Sequence, residues 1–320
     1  MAKPSFIKLS LTFACASIFS LGASAGVDRS LAYPSGTPSA DEIADQVYFV
    51  NHFFALDNYG IVKDGRAITV LVNKSKGKKP TTLTLERFVN NAYNDDPNVR
   101  TKDLAIFRSG KLRGTGMLIT DFKKEGKSQS YAVWLPSLRK IRRFAEPAHD
   151  DAWGGTDFTF GDVALRKPEH ETHELMGEDT FGECLGAVTL GKKEGNRYTK
   201  NLPEASCAPK GKAIYKLKST TKNSNWWYDY RISYIDKESF ADYRTEYFKG
   251  DNQVKVIDRD WVKADGVDDP RALSWGYWYG HTLATGHQTW AVIPGKVNRY
   301  NDKSFKASKW TESTLRKLKQ

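Results

Sequence analysis

Residues 228–234 alternate without a break. Tyr228, Tyr230, Ile232 and Tyr234 fall on one side of an extended chain, and Asp229, Arg231 and Ser233 on the other. Successive side chains of a strand point to opposite faces, so this period of two predicts a half-buried β-strand and excludes a helix here. Phe240–Phe248 and Val254–Trp261 continue in the same style, with polar turns at Asp236-Lys237 and Lys249-Gly250-Asp251. Ala67–Val72, Thr81–Phe88, Asp103–Phe107, Gly114–Phe122, Ser130–Leu135 and Thr289–Ile293 read as further strands. Many strands joined by short polar turns describe an antiparallel meander, not alternating strand–helix units. Helical periodicity is clear only near the start, where Ser39-Ala40-Asp41-Glu42 forms a capping box. Ile43, Val47, Val50 and Phe54 follow at spacings of four, three and four, which predicts a helix from Asp41 to about Asp57. A short basic helix is expected over 308–319.

Such a sheet must hide its apolar face. Apolar residues make up 39% of the chain and aromatic ones 12%, enough for a large core. The sheet can close into a barrel, or curl into a half-barrel covered on its concave side by helices. No linker, repeat or low-complexity stretch divides the sequence, so residues 26–320 are expected to form a single domain. A cavity lined by Tyr, Phe and Trp under a helical cover suits acyl chains. Its expected lining is Val47, Val50 and Phe54 from the helix, with Tyr228, Tyr230, Ile232, Tyr234, Tyr243 and Tyr247 from the sheet.

The first residues read as an address. Lys3 and Lys8 precede an apolar stretch from Leu9 to Leu21, and Ala23-Ser24-Ala25 supplies a small-residue cleavage pattern. That stretch is too short to span a bilayer, so a cleaved secretory signal over residues 1–25 is expected. Its removal takes away two lysines and no acids, lowering the net charge from +11 to +9. Cys15 leaves with it, and Cys184 and Cys207 remain. In an oxidising compartment two thiols tend to pair, which predicts a disulfide bracing two strands; the alternative is a pair of free thiols. Export also removes the nucleic-acid reading that a pI near 9.3 invites, and the lysines are spread over many turns.

Gly114-Thr115-Gly116-Met117-Leu118-Ile119, Tyr131-Ala132-Val133-Trp134-Leu135-Pro136 and Arg139-Lys140-Ile141-Arg142-Arg143 lead into Trp153-Gly154-Gly155-Thr156-Asp157-Phe158. In its order and spacing this run resembles the LolA-like family of outer-membrane lipoprotein-sorting proteins, with Thr156 where Ser is usual. Gly182-Glu183-Cys184, Tyr247-Phe248-Lys249-Gly250 and Thr285-Gly286-His287-Gln288-Thr289 add to the likeness, which spans roughly residues 40–312. The resemblance implies a mainly β fold, an incomplete antiparallel β-barrel covered by a few α-helices. It further implies the periplasm of a Gram-negative bacterium and a hydrophobic cargo, a lipid or lipid-like molecule. The resemblance is to the broader group rather than to the lipoprotein carrier itself, and the group implies an RND/MMPL-type inner-membrane transporter as partner.

Several motifs bear on mechanism. Arg139, Lys140, Arg142 and Arg143 form a basic cluster suited to a partner or to transient contact with an acidic membrane surface. Gly155, Thr156, Asp157 and Phe158 read as a structural turn in which Asp157 accepts backbone N–H bonds. His170 and His173 stand three apart near Pro168, unlike the four-residue spacing of a zincin helix, and a charged loop or helix start is expected instead. No nucleophile elbow, phosphate loop or dinucleotide fingerprint occurs. The leading expectation is therefore a non-catalytic periplasmic shuttle without cofactor or metal, carrying cargo toward the outer membrane. Its competitors are a hydrolase or metalloenzyme built on Asp157, His170, His173 or His287, and an exporter adaptor that carries nothing.

Overall fold

Ser39 starts the helix with reciprocal hydrogen bonds. Its hydroxyl accepts from Glu42 N at 3.2 Å, and the Glu42 carboxylate accepts from Ser39 N at 2.8 Å. The structure, a computed structural model, describes residues 26–318; the expected secretory signal lies outside the described residues. The helix, α1, runs Ala40–Asn51 and is shorter than its periodicity predicts. Phe53 adopts φ 56°, a left-handed conformation that turns the chain away, so Phe54 sits beyond the helix and packs on Tyr48 and Phe49.

The first half of the sheet comprises β1 (Asn58–Ile61), β2 (Thr69–Lys74), β3 (Thr81–Asn90), β4 (Val99–Phe107), β5 (Gly116–Phe122), β6 (Ser130–Leu135) and β7 (Lys140–Phe144). The second comprises β8 (Glu171–Thr180), β9 (Ala213–Thr221), β10 (Tyr230–Asp236), β11 (Asp242–Lys249), β12 (Asn252–Lys263), β13 (Leu273–Thr282), β14 (His287–Val292) and β15 (Asn298–Tyr300). A five-residue helix, α2 (Glu312–Arg316), follows. Antiparallel pairing runs β7-β6-β5-β4-β3-β2-β14-β13-β12-β11-β10-β9-β8, with β1 branching between β3 and β15. The β2–β14 pairing welds two meanders into one sheet, and among the described residues β7 and β8 are its unjoined edges. The barrel is therefore open, a half-barrel of the expected LolA-like type.

Cross-strand register sorts the side chains into two faces. One face carries Leu71, Leu85, Phe107, Ile119, Tyr131, Tyr247 and Trp278, and it is covered by α1 and by a strap of residues 145–170. The other carries Val70, Val72, Trp290, Tyr277, Phe88 and Leu118, covered by residues 181–211 and by the C-terminal segment that buries Trp310 and Leu315. Both faces are buried along the central strands, where apolar residues run almost continuously. The Cys184–Cys207 disulfide is formed, but it ties together the connection between β8 and β9 instead of bracing two strands, and the loop it closes lays Leu185 and Val188 into the core of the second, outer face.

Three stretches are strands that the sequence patterning did not single out. Lys140–Phe144 is the edge strand β7, with only Arg139, at φ 47°, in the turn before it. Glu171–Thr180 is β8 and not a charged loop or helix start, because its partner β9 supplies a full ladder. The aromatic run Trp275–Tyr279 lies within β13. Among the described residues no helix is long and apolar enough to cross a membrane.

Candidate functional site

The sheet's open side is bridged by the strap between β7 and β8. A cleft of about 670 Å³ lies there, between the β5–β6 turn and the start of β8. Glu146 and His149 reach it from the strap just after β7, Arg166 from the strap's end, and Glu171 from the first residue of β8. Trp226 and Tyr228, in the β9–β10 turn, form an aromatic wall with ring centroids 6.1 Å apart.

The floor of the cleft is a chain of buried charges. Glu171 is bound by Arg231, with Nη2 2.7 Å from Oε2, and accepts the Tyr228 hydroxyl at 2.9 Å. Burial pushes the Glu171 carboxyl up, but the Arg231 charge overrides it and brings the pKa down to about 2. Asp162 lies deeper. Its carboxylate meets Arg166 Nη2 at 2.6 Å, the Tyr247 hydroxyl at 2.7 Å, Thr159 N at 2.9 Å and Lys255 Nζ at 3.7 Å. Burial again opposes ionisation, and the charges of Arg166 and Lys255 hold Asp162 far below the usual carboxylate range. Buried charges persist only when paired and hydrogen-bonded in this manner.

Asp157 continues the network toward β13 and β14. Its Oδ1 accepts from the Thr282 hydroxyl at 2.5 Å, and its Oδ2 lies 2.7 Å from His287 Nδ1 and 2.8 Å from Thr289 Oγ1. Lys255 Nζ donates to the Asp157 carbonyl at 2.7 Å. The expected role is thus corrected: Asp157 accepts side-chain donors from remote strands, not local backbone N–H groups. The turn itself is closed by Thr156, whose hydroxyl donates to Trp153 O at 2.6 Å and accepts from Phe158 N at 3.2 Å. Gly154 and Gly155 adopt φ of 62° and 76° there. Gly280 of β13 admits the turn, since a Cβ at that position would stand 2.9 Å from both Asp157 Cβ and the Phe158 ring. Asp157 and His287 therefore come together as a clamp between strap and sheet. His170 and His173 do not join them: His173 bonds Ser219 and the Pro168 carbonyl, and His170 bonds Lys167 N. Among the described residues, no three His, Cys, Asp or Glu side chains gather as metal donors.

The expected lining of tyrosines is placed differently by the register. Tyr228 and Tyr247 are buried on the inner face, and Val47 and Val50 pack beneath α1. Tyr230, Ile232 and Tyr234 point to the outer face, on the same side as Lys218, Glu246 and Lys216. Tyr230 stacks on Phe248 at 4.9 Å, and Tyr234 and Tyr243 lie against Phe181. Phe54, beyond the helix, packs among α1 side chains and away from the cleft. The inward positions of β10 are Arg231 and Ser233, because the strap and the start of β8 bring Asp162, Arg166 and Glu171 to that face and make it polar. Sequence patterning missed Asp162, Arg166, Glu171, Arg231 and Trp226 as site residues. The available signal was Arg231 itself, a cation at the centre of the cleanest half-buried strand.

A family model described only as an uncharacterised protein matches residues 100–293. No curated protein matches the chain. Among solved structures, a DUF1329 family protein from Desulfovibrio piger superposes with a TM-score of 0.62 at 16% identity, covering 87% of this chain and 100% of that one. A putative outer membrane lipoprotein-sorting protein domain from Vibrio parahaemolyticus gives 0.61 at 13% identity, covering 87% and 98%. A LolA superfamily protein from Nitrosomonas europaea gives 0.52 at 12% identity, covering 87% and 100%.

Proposed function

Since the chain belongs to the family whose model matches residues 100–293 and has the LolA-type open half-barrel, we propose that it is a periplasmic binding and shuttle protein for a lipid or lipid-like cargo. The observation that carries this reading is the unjoined gap between β7 and β8, with a cavity of about 670 Å³ placed in it under an aromatic wall. The reading is a non-catalytic one, with transport toward the outer membrane beside an RND/MMPL-type exporter. A cleaved signal over residues 1–25 and a single carrier domain over residues 26–320 belong to the same proposal.

The inner face has little free apolar room. Trp153, Phe158 and Val163 of the strap fill it against Leu71, Trp275 and Trp278, leaving about 50 Å³. That is room for about one or two waters, not for an acyl chain. The cargo's apolar part therefore enters by displacing strap side chains, replacing one set of buried apolar contacts with another at roughly 25 cal/mol per Å² each way. Lipid extraction of the protein purified from its native compartment, followed by mass spectrometry, tests the reading. Co-purifying lipid at near-stoichiometric yield is expected. Protein free of lipid that also binds none on addition would sink it.

We place the membrane contact at the β6–β7 hairpin. Arg139, Lys140 and Arg142 are exposed there around Leu138, which is 49% exposed, while Arg143 pairs with Glu312 at 2.8 Å. Each cation contributes about 1 kcal/mol near an anionic surface. Replacing Arg139, Lys140 and Arg142 together by Gln is expected to lower partitioning onto phosphatidylglycerol vesicles roughly 100-fold at low salt, read by co-sedimentation. Unchanged partitioning of that triple variant would assign the hairpin to a protein partner instead.

A further inference from the structure

Two buried donors at the cleft have no partner among the described residues. Arg166, with its side chain only 10% exposed, uses Nη2 on Asp162 and Nη1 on the Tyr247 hydroxyl at 3.2 Å, and its Nε–H is unmatched. Trp226 Nε1–H is likewise unmatched. Both residues line the same cleft. A buried donor left unpaired is costly, and more so when it is charged, so each of the two favours an acceptor brought to it.

The surrounding charge says what kind of acceptor. Lys127, Lys167 and Lys222 stand at the cleft with Arg166. The acids are mostly engaged by partners of their own: Glu171 by Arg231, Asp121 by Arg100 at 3.6 Å, and Glu146 by Gln129 N at 2.7 Å and His149 at 3.4 Å. Glu169 alone contributes an acid without such a contact among the described residues. Beside the donors, the Trp226 ring packs edge-on to Tyr228 and to His149 at 5.6 Å, presenting apolar surface where a chain would leave a polar head.

We propose that this cleft seats the anionic headgroup of an amphiphile, a carboxylate or phosphate received by Arg166 Nε–H and Trp226 Nε1–H, with the first methylenes of its tail on the Trp226–Tyr228 wall. The inference rests on the shuttle reading and specifies the cargo's class. Charge-assisted hydrogen bonds in a half-dry site discriminate strongly against an uncharged head.

Calorimetric titration of the full chain with dodecanoate, dodecyl phosphate and dodecyl maltoside, all below their micelle concentrations, tests it. Both anions are expected to bind more tightly than the maltoside, and the stronger of the two identifies the headgroup as carboxylate or phosphate. Trp226→Phe keeps the ring and removes the donor; it is expected to weaken anion binding roughly 10-fold and to leave the maltoside unchanged. Arg166→Gln is expected to weaken the anions further, with circular dichroism checking that it remains folded. Should maltoside bind as tightly as the anions, or Trp226→Phe leave anion binding unchanged in a folded protein, the headgroup site falls while the shuttle reading stands. Failure of all three amphiphiles to bind overturns both.

Discussion

Replacing Asp162 by Ala is expected to cost the fold about 3–5 kcal/mol, among the largest losses of any single substitution in this chain. The side chain is fully buried and neutralises two cations, Arg166 and Lys255, that have been taken out of water. Its removal leaves both charges in a dry interior, frees the Tyr247 hydroxyl, and unties Thr159 N from the strap. A loss of that size corresponds to a drop in Tm on the order of 10 °C, readable by scanning calorimetry. Asp162→Asn keeps the shape and some hydrogen bonding but not the charge, and is expected to fall between wild type and Ala. The acid limb of stability should change in parallel. Asp162 and Glu171 both titrate lower in the folded protein than in the unfolded chain, Glu171 at about 2. Their contribution is therefore complete above the unfolded values near 4 and is lost as pH falls from about 5 toward 2. Asp162→Ala removes one of the two, so its Tm should decline less steeply over that range. A variant as acid-sensitive and as stable as wild type would show that the Asp162 network contributes nothing to folding.

The second large effect is expected at the disulfide. Cys184 and Cys207 are 23 residues apart, and the loop between them, with Phe181 just ahead of it, covers the outer face. Leu185 and Val188 pack with Val70, Val72 and Trp290, and Gly186 N donates to Asp258 at 2.6 Å. Gly186 allows this approach, because a Cβ there would stand 2.3 Å from the Tyr279 ring. Cross-linking a loop of this length removes chain entropy worth about 3 kcal/mol at 25 °C from the unfolded state. The Cys184→Ser/Cys207→Ser double variant should therefore lose about 2–4 kcal/mol, with a Tm lower by several degrees. Its 191–205 segment should also become the first site of tryptic cleavage, at Lys192, Lys193, Arg197 or Lys200. Equal Tm values for the oxidised protein and the double variant would mean that packing alone holds the loop.

Much of the architecture was legible from local pattern. Ser39 and Glu42 announce the start of α1 because a capping box is made by residues three apart. Ser130–Leu135 is a strand at the bounds its alternation implies. The end of α1 was not legible, since Val50 and Phe54 keep the helical spacing while Phe53 turns the chain to place its ring against Tyr59 and Trp275. Strands β8 and β9 were missed for a related reason. Charged and small residues such as Glu171, His173 and Ser219 carry weak strand preference, and their pairing comes from the ladder between them.

The cleft divides along the same line. Alternation in residues 228–234 states that two unlike faces exist, and a local pattern can state no more, because a period of two is symmetric under a flip of the sheet. What selects the inner face is the partner laid upon it. Asp162, Arg166 and Glu171 arrive from about 60 residues upstream of β10 and make that face polar, drawing Arg231 and Ser233 inward and leaving Tyr230, Ile232 and Tyr234 outside. By itself, then, the sequence determined most of the antiparallel strands and their turns, the capped start of the helix and the pair of cysteines available to bond. Only the tertiary structure decided which side of the half-barrel is its interior, because that depends on which remote charges must be buried together.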